Sequence, residues 1–346
     1  MVRSDIRLAL PSKGILQSGA LGFLEACGLK VYRPNPRQYA ATLPALPDVT
    51  VMFQRPGDIV VSVRQGSVDF GITGLDVLTE KGADNGNGKS AILILHDALG
   101  FGPCSLDLAV PEESPVRTVR DLVAWARSLA QNGRQMRIAT RFPRVTGHFL
   151  DEHGVQPYKL IDVEGTLEIA PAIGYADLIA DLVSTGTTLR DNHLRQLEDG
   201  SILQSEACLI ANRQALRSRR EVLDVARQLL EYIEAHLRAA GSYLVTANMR
   251  GNSPEAIAEE MFSQSSIGGL QGPTIARVVA SKTLQEESKW YAVNIVVQKE
   301  RLFQAIAELR AIGGSGVIVS ALTYIFEEEP ERYQRMLAAL EATEAD

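Results

Sequence analysis

Apolar residues along the first half of this chain follow two alternating rhythms. Short apolar or alternating runs predict strands at "DIRLALP" (5–11), "VTVMFQR" (49–55), "VDFGITG" (68–74), "SLDLAVP" (105–111), "MRIATRFP" (136–143), "YKLIDVEG" (158–165) and "ADLIADLV" (176–183). Between them, apolar positions at helical spacing predict helices over "GILQSGALGFLEACG" (14–28, closed by Gly28), over "GDIVVSVRQG" (57–66), within 116–130 around Trp125, and within 144–153. Strand and helix in turn imply two α/β lobes, assigned to 1–92 plus 185–216 and to 93–184. From about Arg217 the rhythm changes to one long helix, with Val222, Val225, Ala226, Leu229, Leu230 and Ile233 on a single stripe. It reads as a linker.

After that helix come "SYLVTANM", helical "SPEAIAEEMFSQ", "TIARVVAS", "KWYAVNIVVQ", helical "ERLFQAIAELRAIG" and "GVIVSALTYIF". The order β-α-β-β-α-β specifies a small ferredoxin-like, ACT-like module within 217–346. The closing "EEEPERYQRMLAALEATEAD" predicts a charged terminal helix with a frayed end.

Composition removes several function classes. The 346 residues are 45% hydrophobic and 22% charged, enough to bury a sizeable core. A net charge of -7 and the absence of a long basic block give no electrostatic footprint for nucleic acid. No apolar run approaches the roughly 20 residues of a membrane span, and "MVRSDIRLALPSKG" lacks a signal peptide's apolar core. Three widely spaced cysteines, Cys27, Cys104 and Cys208, fit reduced thiols rather than a disulfide framework or zinc site, so a cytoplasmic location is expected.

Candidate chemistry concentrates in "DLVSTGTTLR" (181–190), where a strand ends and a helix begins. Ser184, Thr185, Gly186, Thr187 and Thr188 occupy the turn where ligands of open α/β sheets bind. Gly186 allows an inward bend, successive N–H groups and a helix N-terminus favour an anion, and the hydroxyls add donors. No lysine follows, so this is no Walker A loop. From the residues alone, a phosphate site and a plain Ser/Thr helix cap remain equally open. Asp177 and Asp181 are separated by about 13 Å of extended chain and cannot share one sugar. Asp181 abuts the loop, whereas Asp177 is placed to order a turn. Glu168 lies on a neighbouring turn; an isolated Glu is by itself a solvated surface residue.

The string "EIAPAIGYADLIADLVSTGTTL" (168–189) resembles the signature of ATP phosphoribosyltransferases, with Glu, Gly, Asp, Asp, Ser/Thr-Gly and Thr-Leu at matching spacings. The resemblance extends to "LALPSKG" (8–14), "RPGDIVVSVRQGSVDFGITGLDVL" (55–78), "LGFGPC" (99–104), "RIATRFP" (137–143) and "SEACLIANR" (205–213). The C-terminal module, with "GGLQGPTIARV" and "IGGSGVIV", is similar to the regulatory domain of the family's long form. It implies two lobes like those of periplasmic binding proteins, and transfer of phosphoribosyl from phosphoribosyl pyrophosphate to N1 of the adenine of ATP at the first step of histidine biosynthesis.

On this resemblance, loop 184–188 holds the 5-phosphate and Asp181 and Glu168 hold the ribose hydroxyls. Lys13 and Arg55 face phosphate oxygens, and Thr73 and Gly74 line the nucleotide site. Mg2+ is implied, carried on the pyrophosphate with no protein ligand assigned. Histidine is implied as inhibitor, at Leu270, Gly272 and Thr274 and at Ser315 in the turn 313–316. Hexamers exchanging with dimers are implied as well. Departures from the family pattern are Ile15 and Ser105 at positions often basic, and Ala247 where some relatives carry an acid. The five histidines take no part, and Trp125 is assigned to packing. Twin α/β lobes also describe non-catalytic binding or regulatory proteins, which remain the alternative.

Overall fold

The computed structural model describes residues 5–82, 90–163, 165–279 and 289–342, and counts and absences refer to these residues. Contacts divide the chain into one unit of Met1–Leu230 with Glu331–Asp346, and a second of Glu231–Pro330.

The first unit holds two α/β lobes. Lobe I is built on β1 (Ile6–Pro11), β2 (Ala40–Thr42), β3 (Val49–Gln54), β4 (Phe70–Gly74), β5 (Ile92–His96) and β11 (Ala207–Asn212), in the order β2-β3-β1-β4-β11-β5. Its central strands β3, β1 and β4 run parallel, and β11 closes antiparallel against β4 and β5. The near-continuous apolar runs of β1 and β4 follow from burial on both faces: Leu8, Leu10, Phe70 and Ile72 are fully enclosed on one face, and Ala9 is fully enclosed on the other, against Ile59 and Val63 of α2. Around the sheet lie α1 (Gly14–Ala26), α2 (Pro56–Arg64) and α3 (Leu75–Lys81).

Lobe II is built on β6 (Cys104–Pro111), β7 (Met136–Thr140), β8 (Tyr158–Asp162), β9 (Leu178–Val183) and β10 (Leu194–Ser205), ordered β10-β6-β9-β7-β8. One face, Leu106, Leu108, Ile138 and Leu178, packs beneath α4 (Val119–Gln131) and α5 (Pro143–Glu152). A Thr118–Asp121 capping box starts α4. The other face, Ala109, Ala139, Ile179 and Val183, seats Leu167 of a 3-10 turn (Leu167–Ile169) and Leu189 of α6 (Thr187–Asp191).

The expected lobe boundaries are corrected here. Residues 185–216 do not all return to lobe I: β10 pairs antiparallel with β6 inside the second sheet, and only β11 rejoins the first. Likewise β5 belongs to lobe I, so lobe II begins after His96 rather than at residue 93. After β11 come α7 (Arg213–Ser218) and α8 (Arg220–Ala239), whose predicted apolar stripe is buried throughout.

The second unit has β12 (Ser242–Arg250), α9 (Pro254–Phe262), β13 (Thr274–Arg277), β14 (Trp290–Gln298), α10 (Leu302–Ala311) and β15 (Ser315–Ala321). Its antiparallel sheet has the order β13-β14-β12-β15, as the ferredoxin-like reading requires. The expected strand 274–281 runs partly outside the described residues. The terminal helix α11 (Glu331–Glu341) forms as predicted but belongs to the first unit, not to the regulatory module: Arg213 and Arg217 donate to the Ala339 and Leu340 carbonyls. Its expected frayed end, 343–346, lies outside the described residues.

Candidate active site

On lobe II, β9 delivers the chain to a turn at Ser184–Gly186, and Gly186 adopts φ +70° as the residue before α6. The left-handed backbone turns the chain away from the strand at once, a conformation open to glycine. Ser184, Thr185, Thr187 and Thr188 are solvent-exposed; Thr185 and Thr187 share a 3.1 Å hydroxyl contact, and Arg190 reaches Thr187 Oγ1 at 3.3 Å. The hydroxyls are thus linked to one another and to a cation at the surface.

Asp181 lies three residues before this turn and is half-buried, with Oδ1 accepting from Leu182 N–H at 2.9 Å. Burial raises its carboxyl above the ordinary carboxylate range; the Leu182 N–H and Arg141 pull it down, while the charge of Glu168 pushes it further up. Glu168 therefore stands within electrostatic reach of Asp181. Leu167, seated in the core layer under β9, fixes the turn that carries it. Asp177, at the other end of β9, accepts from Arg137 N–H at 2.8 Å and pairs with Arg134 at 2.7 Å, with its side chain 7% exposed. It orders the turn, as the strand spacing implied.

Lobe I contributes the parallel-strand ends. Pro11 of β1 pairs in register with Gln54 of β3, so Lys13 and Arg55 emerge side by side at the carboxyl end of the sheet, both exposed. Gly74 ends the adjacent β4. Thr73 is placed differently from the expectation: it is fully buried and its hydroxyl donates to the Pro56 carbonyl at 3.2 Å. Its side chain therefore braces the sheet against α2 and does not line a nucleotide site. The lobes meet beyond Gly74, where Glu80 of α3 accepts from Arg144 and Val145 N–H at 3.0 and 2.9 Å. A carboxylate from lobe I thus caps the helix that follows Arg141 in lobe II.

The family model of ATP phosphoribosyltransferase matches residues 55–235, and the model of its C-terminal domain matches 239–324. The chain belongs to the ATP phosphoribosyltransferase family. It is 43% identical to ATP phosphoribosyltransferase 1, chloroplastic, of Arabidopsis thaliana over 98% of this chain and 82% of the relative. It is 35% identical to the ATP phosphoribosyltransferase of Methanothermobacter thermautotrophicus over 91% of this chain and 96% of that one. A solved ATP phosphoribosyl transferase (HisG:HisZ) complex from Thermotoga maritima aligns with 66% of this chain and 98% of its own at 26% identity and a TM-score of 0.49. As a member of the family, and of its form with a C-terminal domain, the chain is a transferase of histidine biosynthesis.

Three residues of this ATP phosphoribosyltransferase went unnoticed in the sequence. Arg141 directly follows β7, and its charge favours an ionised Asp181; in the linear pattern it looks like any strand-end residue. Asp107 is directly opposite Asp181 across the β6–β9 ladder and is 4% exposed. Gln196 donates to Asp107 at 2.9 Å, and Ser105, at the position often basic in relatives, donates to it as well. The signal was an acid in the middle of an apolar strand. Ile15 is 75% exposed, so the departure there leaves an uncharged surface beside Lys13.

Burial pushes the thiols of Cys27 and Cys208 up to about 12 and also raises that of the half-buried Cys104, which favours the protonated thiol at all three. No group of three or more His, Cys, Asp or Glu side chains fit to hold a metal occurs among the described residues. No helix among them is long and apolar enough to cross a membrane.

In the C-terminal module, Leu270 is 63% exposed, Gly272 adopts φ +119° and Thr274 opens β13, so the three lie along one turn leading into that strand. Ser315 opens β15 at the opposite edge of the sheet and is not with them. Ala247 is 1% exposed and points into the module's core, so the departure there does not alter a ligand surface.

Proposed function

We propose that this chain performs the family reaction at the β9 strand end, with loop 184–188 holding the 5-phosphate of phosphoribosyl pyrophosphate and Asp181 and Glu168 holding its ribose. The observation that carries the reading is the convergence of Glu168, Asp181 and the exposed hydroxyl turn on one face of lobe II, within the family's matched region. Departure of pyrophosphate leaves positive charge on the ribose ring. Two carboxylates beside it stabilise that charge more than they stabilise the neutral ground state, which is the condition for lowering the barrier. Arg55 and Lys13 neutralise the leaving group from lobe I, and contact between the lobes through Glu80 aligns the adenine N1 with the anomeric carbon. N1 carries no proton, so attack needs no general base.

Mg2+ would be carried by the pyrophosphate oxygens, with no protein ligand assigned, and would supply charge neutralisation of the leaving group. Histidine as a feedback inhibitor acting through the C-terminal module, a dimer-to-hexamer assembly and a cytoplasmic location complete the proposal. The direct test mixes purified protein, ATP, phosphoribosyl pyrophosphate and Mg2+ and follows the absorbance of the N1-substituted adenine. Product should accumulate with stoichiometric pyrophosphate. Binding of both substrates without product would favour the non-catalytic alternative.

A further inference from the structure

Lobe II carries a cavity of about 850 Å³, lined by the β6–α4 connection, the Trp125 side of α4, Arg134, Arg137 and the 171–177 turn. It borders Asp177, so it lies at the opposite end of β9 from the phosphate loop, about 20 Å along the strand. Its volume is that of a small-molecule site. Trp125 packs one side on the lobe core and lines the cavity with the rest; Pro111, Pro115, Ala124, Pro171 and Ala176 add apolar wall, and Glu113, Asp121 and Asp177 are its acids.

Two guanidinium groups face this apolar space. Arg137 donates to the Gly174 carbonyl at 2.8 Å and to Asp177 at 3.3 Å, while its Nε is buried without a hydrogen-bond partner. Arg134 spends one N–H on Asp177 and is 47% exposed. Asp177 is already matched by this pair and Asp121 accepts from the Arg117 and Thr118 N–H groups at the start of α4, so an added acceptor on the arginine side meets unspent donors, with Glu113 on the wall of the β6–α4 connection. A buried N–H without an acceptor is costly, and a ligand oxygen removes the cost. Trp125 offers an indole face to a flat ring at the same time.

We infer that this cavity binds an aromatic carboxylate, its ring against Trp125 and its carboxylate on Arg134 and Arg137. The site is separate from the proposed catalytic one, and its test reads binding only, so failure of either reading leaves the other standing.

Calorimetric titration of the full-length protein with 2-naphthoate should give saturable one-site binding at millimolar concentration or below. The neutral analogue 2-naphthylmethanol should bind at least tenfold more weakly, since it lacks the charge-assisted contacts. Ala124→Phe, which fills the cavity from α4 without touching the Asp177 cluster, should abolish binding, and Arg134→Gln should weaken it at least tenfold. In a Trp290→Phe background the remaining tryptophan, Trp125, should change its fluorescence along the same isotherm. Absence of saturable binding to the wild type, equal affinity for the alcohol, or unaltered binding in folded Ala124→Phe each overturns the assignment. If that variant melts early, unaltered affinity in Arg134→Gln does so.

Discussion

At Gly186 the backbone conformation, not the space around it, decides what is tolerated. A Cβ there would meet only Gln196 Oε1 at 3.8 Å and Val183 Cγ1 at 3.9 Å, ordinary contacts, but φ is +70°. The strain of a non-glycine residue in this region is about 1–2 kcal/mol, more for a β-branched one. The fold absorbs that much, and the turn relieves it by changing shape. We therefore expect Gly186→Val to lose nearly all turnover while melting close to the wild type; near-normal turnover in the folded variant would remove the loop from the mechanism. The two aspartates of β9 should separate cleanly. Asp181→Asn should lower kcat by orders of magnitude with little change in melting. Asp177→Asn, which removes the charge of an almost buried carboxylate from its pairs with half-exposed Arg134 and with Arg137, should cost about 1–3 kcal/mol of stability in a denaturant titration and leave kcat near normal. Glu168 adds a pH signature. Asp181 must be ionised to act, and burial together with the Glu168 charge holds its carboxyl above the ordinary value, so activity falls with pH from above the normal carboxylate range. Glu168→Gln removes one raising contribution, and the acid limb of kcat/KM should move to lower pH. A limb that stays in place would show that the two carboxylates do not sense each other. The juxtaposition of Asp181 with the hydroxyl turn was legible because strand and turn are contiguous in the chain, whereas Glu168, ten residues before β9, was singled out only by the family resemblance. Asp107 was not, since its pairing with Asp181 depends on a register between strands some 70 residues apart.

Among the elements, strands with their own turn signals were legible, and those joined by tertiary context were not. β5, β10 and β11 were missed: β10 is bulged between Gln196 and Leu203, which breaks the alternation that marks a strand. Mistaking this stretch for a return to lobe I misplaced the boundary. The terminal helix was predicted, but nothing in its charged sequence named its partner. It packs on β5, burying Tyr333, Met336 and Leu340, and Arg332 pairs with Asp97 at 2.7 Å. Next to that pair lies His96, 4% exposed, whose Nδ1 accepts from Ala98 N–H at 3.2 Å and so favours the neutral ring. Burial lowers its pKa to about 4, helped by the Arg332 charge and opposed by Asp97. The unfolded chain takes up a proton near 6.5 while the folded one resists, so stability is full above about pH 6.5 and is lost as pH falls toward 4. The loss amounts to about 3 kcal/mol for a shift of this size. Denaturant titrations of the wild type at pH 7.5 and pH 4.5 should differ more than those of His96→Gln by most of that amount; equal differences would mean that the ring titrates normally.

For the molecule as a whole, the ferredoxin-like order of the C-terminal module was legible because each of its elements is local and cleanly periodic, and the strand order followed from the connectivity. What the linear pattern could not show is that the proposed histidine contacts divide between the two edges of one sheet. Thr274 begins β13 and Ser315 begins β15, with β14 and β12 between them. Three ladder spacings separate the edges by about 14 Å, more than one histidine spans. If both residues bind the same inhibitor molecule, they must come from different copies of the chain, with the 270–274 turn of one facing the 313–316 turn of the next. Inhibition then arises because histidine favours the arrangement of copies in which this joint is closed, and turnover falls by a shift of population rather than by competition with phosphoribosyl pyrophosphate. On this account Thr274→Ala and Ser315→Ala should each raise the histidine concentration needed for half-inhibition about tenfold, with uninhibited turnover preserved. Co-assembly of the two variants provides the decisive measurement. Joints pairing Thr274 from the Ser315→Ala copy with Ser315 from the Thr274→Ala copy are intact, so a fraction of the mixed oligomers should recover wild-type sensitivity and the inhibition curve should become biphasic. A mixture no more sensitive than either parent, or a Ser315→Ala enzyme inhibited as strongly as the wild type, would confine histidine to one edge of one module and end the two-copy reading.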